Sequence, residues 1–266
     1  MRHDTSLIAI NRQVDRARLE HFGSGILVRL ERLHLLLSAA HVLVKSQLWL
    51  PGKPSMPLDE SGRIVSTTPF DGTPHIDAAD VGYVVLTDPA VAALTALGRT
   101  FLPSTEVVLA LPPLKTAVVT FAGMPCSKSK TIVGRREIIT TPTCIHCEAL
   151  TTDELVAFNR PTTHVGIRYN REKVTEDSTG KRVNGPIPDG MSGGPMWLIL
   201  PDGTPKLWAI GTDYDLERGL LFGTKLQSFL PHLLKREFGP NFTLSQSGGF
   251  TSEPRESFRE RARRDS

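Results

Sequence analysis

Asp189-Gly190-Met191-Ser192-Gly193-Gly194-Pro195 is the stretch whose reading decides the fold. Glycines on both sides of Ser192 strip side-chain bulk from a tight turn and expose the hydroxyl. They also let successive backbone N–H groups converge on one point, where an oxyanion can sit. Gly-x-Ser-x-Gly also fits a strand-to-helix elbow, which needs a helix directly after the serine and an acid and a histidine later in the chain. Here Met196-Trp197-Leu198-Ile199-Leu200 follows, a strand-sized apolar run. His232, the one downstream histidine, lies within an amphipathic helical pattern. The elbow is excluded, and the partners of Ser192 lie upstream.

Upstream, Leu35-Leu36-Leu37-Ser38-Ala39-Ala40-His41 puts a histidine directly after a buried-looking strand, beside Gly23-Ser24-Gly25-Ile26-Leu27-Val28. Asp80 opens the apolar run Val81 to Leu86. Asp71, Asp77 and Asp88 are nearby acids, but only Asp80 directly precedes that run. The order is His, Asp, Ser. A histidine or a glycine turn taken alone is more often structural than catalytic, and only the three motifs in order carry the assignment.

At these residues the sequence resembles the chymotrypsin-like (trypsin-like) serine peptidases, over about Phe22 to Leu234. The Gly-x-Gly strand followed by Ser-Ala-Ala-His, the Asp-led acid strand and the Gly-x-Ser-Gly-Gly-Pro turn all have counterparts in that family. Gly123-Met124-Pro125 and Ala209-Ile210-Gly211-Thr212 are lesser echoes. The resemblance implies an all-β fold of two antiparallel β-barrels closed by a C-terminal helix. His41 and Asp80 would come from a first barrel over 1–112 and Ser192 from a second barrel with its helix over 113–240. Residues 241–266 form a tail without apolar periodicity, read as mobile.

The chemistry is consistent with that frame. A serine hydroxyl is a poor nucleophile at neutral pH and needs a base with a pKa near 7, which histidine supplies. A carboxylate on the far ring nitrogen fixes the tautomer and stabilises the imidazolium formed during attack. The N–H groups of Gly190 and Ser192 would receive the carbonyl oxygen as it becomes an anion. In comparable sites each donor is worth about 3 to 4 kcal/mol. The expected function is therefore a serine endopeptidase working through an acyl-enzyme with no cofactor, on a protein or peptide substrate. The alternative is a catalytically silent protease-fold module that binds a protein partner.

Two departures from the family bear on regulation and specificity. Many secreted members carry an acid directly before the serine to receive a newly cut N-terminal amine. Met191 stands there, so activation by trimming is not expected. Pro186 falls where trypsins carry the acid that holds a basic side chain, so uncharged residues are expected before the scissile bond. Asp213 is the acid that threatens this expectation, since the strand of Thr212 is a pocket wall in the family. Thr212 itself matches the hydroxyl that bonds the triad acid, or is a plain strand threonine.

Composition sets the remaining bounds. The 266 residues carry 31 basic and 28 acidic side chains, a net +3 that gives no global field for nucleic acid. The apolar runs fall short of the ~20 residues a bilayer needs. No secretory pattern opens the sequence, so the protein reads as cytosolic. An intracellular protease needs restraint, so a regulatory protein partner is expected, although no motif carries one. Cys144-Ile145-His146-Cys147, with Cys126 and His164 elsewhere, invites a zinc reading. Without a second close ligand pair these are read as loop thiols and no metal is assigned. Helices are expected over Asp88 to Leu97 and Leu226 to Phe238, the latter stopped by Gly239-Pro240.

Overall fold

Apolar runs cut by charged, Gly or Pro breaks become strands in the computed structural model, which describes residues 5–15, 18–44, 48–52, 55–58, 63–66, 79–108, 118–175, 179–239, 243–244 and 250–251. The first half supplies β1 (Leu7–Gln13), β2 (Leu19–Leu30), β3 (Leu33–Ala39), β4 (Leu48–Leu50), β5 (Met56–Pro57), β6 (Arg63–Ser66), β7 (Val81–Val85) and β8 (Leu102–Pro103). They form one sheet in the order β5-β4-β1-β2-β3-β7-β6, antiparallel throughout, with β8 added parallel to β2. A short helix, α1 (Ala40–Leu43), continues β3. The helix α2 (Asp88–Ala96) follows β7, with Pro89 in its first turn and Gly98 at φ +75° just beyond its end.

The continuous apolar runs of β2 and β3 have a simple cause, which is that both faces of the sheet are covered. Leu27 and Leu36 face inward with Ile8, Ile10, Leu43 and Val84. Their neighbours Ile26, Val28, Leu35 and Leu37 face the other way, into a core shared with Trp197, Leu207 and Ile210 of the second half.

The second half supplies β9 (Val118–Gly123), β10 (Ser129–Ile132), β11 (Glu137–Thr140), β12 (Thr143–Glu148), β13 (His164–Arg168), β14 (Val174–Thr175), β15 (Arg182–Val183), β16 (Pro195–Ile199), β17 (Pro205–Asp215) and β18 (Leu220–Lys225). Six of them form a sheet in the order β12-β9-β16-β17-β18-β13, again antiparallel. β10–β11 and β14–β15 are separate hairpins. A helix, α3 (Thr152–Ala157), follows β12 and is opened by a Thr151–Glu154 capping box. The last helix, α4 (Leu230–Phe238), buries Leu230, Leu233 and Leu234 in the core shared by the two sheets. Among the described residues no helix is long and apolar enough to cross a membrane.

The all-β architecture and the closing helix match expectation, and the differences are local. Instead of one helix from Leu226, a 3-10 turn over Leu226–Ser228 breaks at Phe229 (φ −124°), and Pro231 sits in the first turn of α4. The apolar run that begins at Val107 is preceded by a 3-10 turn over Ser104–Glu106 and makes a single bridge, from Val107 to Leu207. The proposed division at 112/113 and much of the Pro51 to Pro74 segment lie outside the described residues. So does most of the 241–266 tail, where Thr243–Leu244 pairs with Phe250–Thr251.

Candidate active site

His41 and Asp80 meet because of strand register. Ala39, the last residue of β3, pairs with Val81, the first of β7, which leaves residues 41 and 80 as neighbours just past the ladder. The Asp80 Oδ2 lies 2.5 Å from His41 Nδ1, and Oδ1 accepts the His41 backbone N–H at 2.9 Å. The Asp80 carbonyl accepts the Ala40 N–H at 3.1 Å. Asp80 thus satisfies two otherwise orphaned donors at the start of α1 as well as the imidazole. A carboxylate on Nδ1 holds that proton and leaves Nε2 with its lone pair outward. Asp71 and Asp77 lie outside the described residues, and Asp88 opens α2.

Ser192 sits on a turn wedged between the two sheets. Gly193 donates its N–H to Gly211 of β17 at 2.7 Å, while Ser24 of β2 donates its N–H to the Ser192 carbonyl at 2.8 Å. Gly190 and Gly193 have φ of +83° and +87°, in the left-handed region where a side chain is strained. A Cβ on Gly193 would strike Ser38 Oγ and the Ser24 carbonyl, and one on Gly194 would strike the Ala122 carbonyl. Met191 turns its N–H back to the Pro188 carbonyl at 2.9 Å and buries its side chain in the second-half core, against Gly123. Among the described residues the N–H groups of Gly190 and Ser192 donate to no acceptor. The Ser192 hydroxyl and His41 are not hydrogen-bonded to each other. The serine turn nevertheless packs on the segment that carries His41: Gly193 abuts Ser38 and Ala39, and Ser192 O and Val42 both lie against Gly23.

The expected substrate residues are distributed differently. Pro186 offers its carbonyl to the Tyr169 hydroxyl at 2.8 Å, and the adjacent Gly185 exchanges backbone and side-chain bonds with Arg171. Burial pushes the Tyr169 phenol up to about 12, so it stays a neutral donor. Tyr169 and Val174, both part of the second-half core, also lie against Gly185, the residue before Pro186. Thr212 is the extra residue of a β-bulge in β17, buried, and its hydroxyl makes no hydrogen bond to Asp80. The bulge sends Asp213 to one face, where its carboxylate pairs with Arg160, itself stacked over Phe222 at 4.2 Å. Tyr214 goes to the other face, edge-on to Tyr169.

Cys144 and Cys147 are strand residues rather than loop thiols, and Cys126 opens a 3-10 turn over Cys126–Lys128. Cys144 and Cys147 lie in β12, and a spacing of three puts them on opposite faces, so they do not form one half-site. Cys126 lies against Gly190, where burial and then Asp189 push its thiol up to about 11. Sequence reasoning missed His21 and Ser24 of β2, which reach the serine turn from the first sheet. Their one pointer is their place in His21-Phe22-Gly23-Ser24-Gly25.

No protein-family model matches the chain, and neither does any curated protein sequence. Solved structures do match. Neuropsin, a serine protease expressed in the limbic system of mouse brain, aligns with a TM-score of 0.53 at 15% identity, over 89% of this chain and 96% of its own. The protease Anisep from Arthrobacter nicotinovorans aligns with the same TM-score at 10% identity, over 87% and 94%. At such identities the likeness is one of fold. This chain has the fold of the chymotrypsin-like serine proteases.

Proposed function

We propose that this chain is a serine endopeptidase in which Ser192 is the nucleophile, His41 the general base and Asp80 the residue that orients it. The observation that carries the reading is the Asp80–His41 pair beside a glycine turn whose Gly190 and Ser192 N–H groups have no acceptor among the described residues. In the forward step His41 Nε2 takes the Ser192 proton as Oγ attacks the carbonyl carbon. The carbonyl oxygen becomes an anion received by the two N–H groups, and the proton then passes from His41 to the leaving amine. Water repeats the sequence on the acyl-enzyme. The absence of a carboxylate at Pro186, whose carbonyl is taken by the neutral Tyr169 hydroxyl, and the engagement of Asp213 by Arg160 support a preference for uncharged residues before the scissile bond.

The silent-module alternative has one observation on its side, the missing hydrogen bond between Ser192 and His41. Such bonds tighten only when substrate closes the site, so the observation weighs little. Proteome-wide cleavage profiling of wild type against Ser192→Ala tests the proposal. New termini that depend on Ser192 are expected, and identical profiles would overturn it.

A further inference from the structure

In the relatives with an acid before the serine, an ion pair fastens the serine turn. Met191 cannot make one, so the turn at Gly190 has to be held by something else. Both peptide carbonyls that flank the Gly190 N–H are occupied. The Asp189 carbonyl accepts the Cys126 N–H at 2.8 Å. The Gly190 carbonyl accepts the Ser24 hydroxyl at 2.8 Å and His21 Nε2 at 3.1 Å. His21 Nε2 also lies 2.5 Å from the Met124 carbonyl, and the Met124 N–H bonds Ser24 Oγ at 2.9 Å.

Carbonyls only accept, so the imidazole must carry its proton on Nε2. Its Nδ1 is buried without a partner among the described residues. Asn11 stands opposite His21 in the β1–β2 register, and Asp189 and the Cys126 thiol are the titratable groups beside it. His21 is therefore the node joining β2, the Met124–Cys126 segment and the serine turn.

We propose that His21, with Ser24, is a positioning residue that holds the Gly190–Met191 peptide, the link between the two donors, so that the Gly190 and Ser192 N–H groups point at one oxyanion site, without any cleavage of the chain. This rests on reading the Ser192 turn as an oxyanion hole. Release of the Gly190 carbonyl lets the peptide rotate, and a displacement of about 1 Å at a reacting centre costs on the order of 100-fold in rate.

The test compares His21→Ala and His21→Gln with wild type. The glutamine amide supplies a donor at the position of Nε2. Labelling of Ser192 by a fluorophosphonate should slow by about 100-fold in His21→Ala and return to within about 10-fold of wild type in His21→Gln. On a peptide chosen from the cleavage profile, kcat should fall while KM stays within about two-fold. A folded His21→Ala that labels at the wild-type rate overturns the proposal, as does a folded His21→Gln that restores nothing. If His21→Ala does not fold, Ser24→Ala carries the test, with slower labelling expected and unchanged labelling contradicting it. If wild type itself is not labelled, the protease reading fails separately. The clamp is then judged by amide exchange at Met191 and Gly193, which should accelerate in His21→Ala and recover in His21→Gln, and unchanged exchange would overturn it.

Discussion

Asp80 grips His41 twice, with Oδ2 on the ring at 2.5 Å and Oδ1 on the backbone N–H at 2.9 Å. Asp80→Asn keeps an oxygen for the backbone donor but presents an NH2 group to Nδ1, which favours the wrong imidazole tautomer. Turnover should fall by about four orders of magnitude with a thermal midpoint close to wild type. Steady-state kinetics with thermal unfolding checks this, and a mild loss would remove Asp80 from its assigned role.

Gly193 has no room for a side chain, being closed in by Ser38 Oγ and the Ser24 carbonyl at φ +87°. Gly193→Ala should destabilise the fold by at least about 2 kcal/mol, since left-handed strain and a backbone clash coincide. Urea unfolding measures it. A neutral outcome would mean that the turn is held more loosely than described.

Burial lowers the pKa of His21, partly offset by its bonds to Met124 and Gly190 and by Asp189. In the unfolded chain this histidine takes up a proton at about 6.5. Below that pH the unfolded state binds more protons than the folded one, so stability falls as the solution is acidified towards the lowered folded value. His34, lowered chiefly by burial, acts in the same direction. Subtracting the pH–stability curve of His21→Gln isolates the His21 part. Superimposable curves between pH 5 and 7 would contradict the assignment.

Asp213 faces Arg160, on the opposite side of β17 from Tyr214, which packs edge-on to the Tyr169 that bonds Pro186. Peptide-library cleavage should favour uncharged residues before the cut, and Asp213→Ala should leave that preference unchanged, because a buried unpaired Lys or Arg costs several kcal/mol. Dominant cutting after Lys or Arg that vanishes in Asp213→Ala would assign recognition to that carboxylate.

The sequence made the serine turn legible because glycine positions are dictated locally, by φ and by lack of space. The acid strand was legible because Asp80 abuts an unbroken apolar run. What escaped depended on distant partners. Thr143–Glu148 reads as a polar loop, yet it is a strand because β9 offers it a full ladder from Gly123 to Val118. His21 looks like an ordinary strand residue. Its role arises from carbonyls at Met124 and Gly190, more than a hundred positions away in sequence. The two bulges in β17 likewise appear only in its register with β16 and β18, and no local signal marks them.

The most direct measurement of the central claim is mass spectrometry of the protein after exposure to an active-site fluorophosphonate. One adduct on wild type, mapped to the peptide containing Ser192 and lost in both Ser192→Ala and His41→Ala, is the predicted result. A natively folded wild type that takes up no label, or a Ser192→Ala variant that labels equally well, would contradict the account.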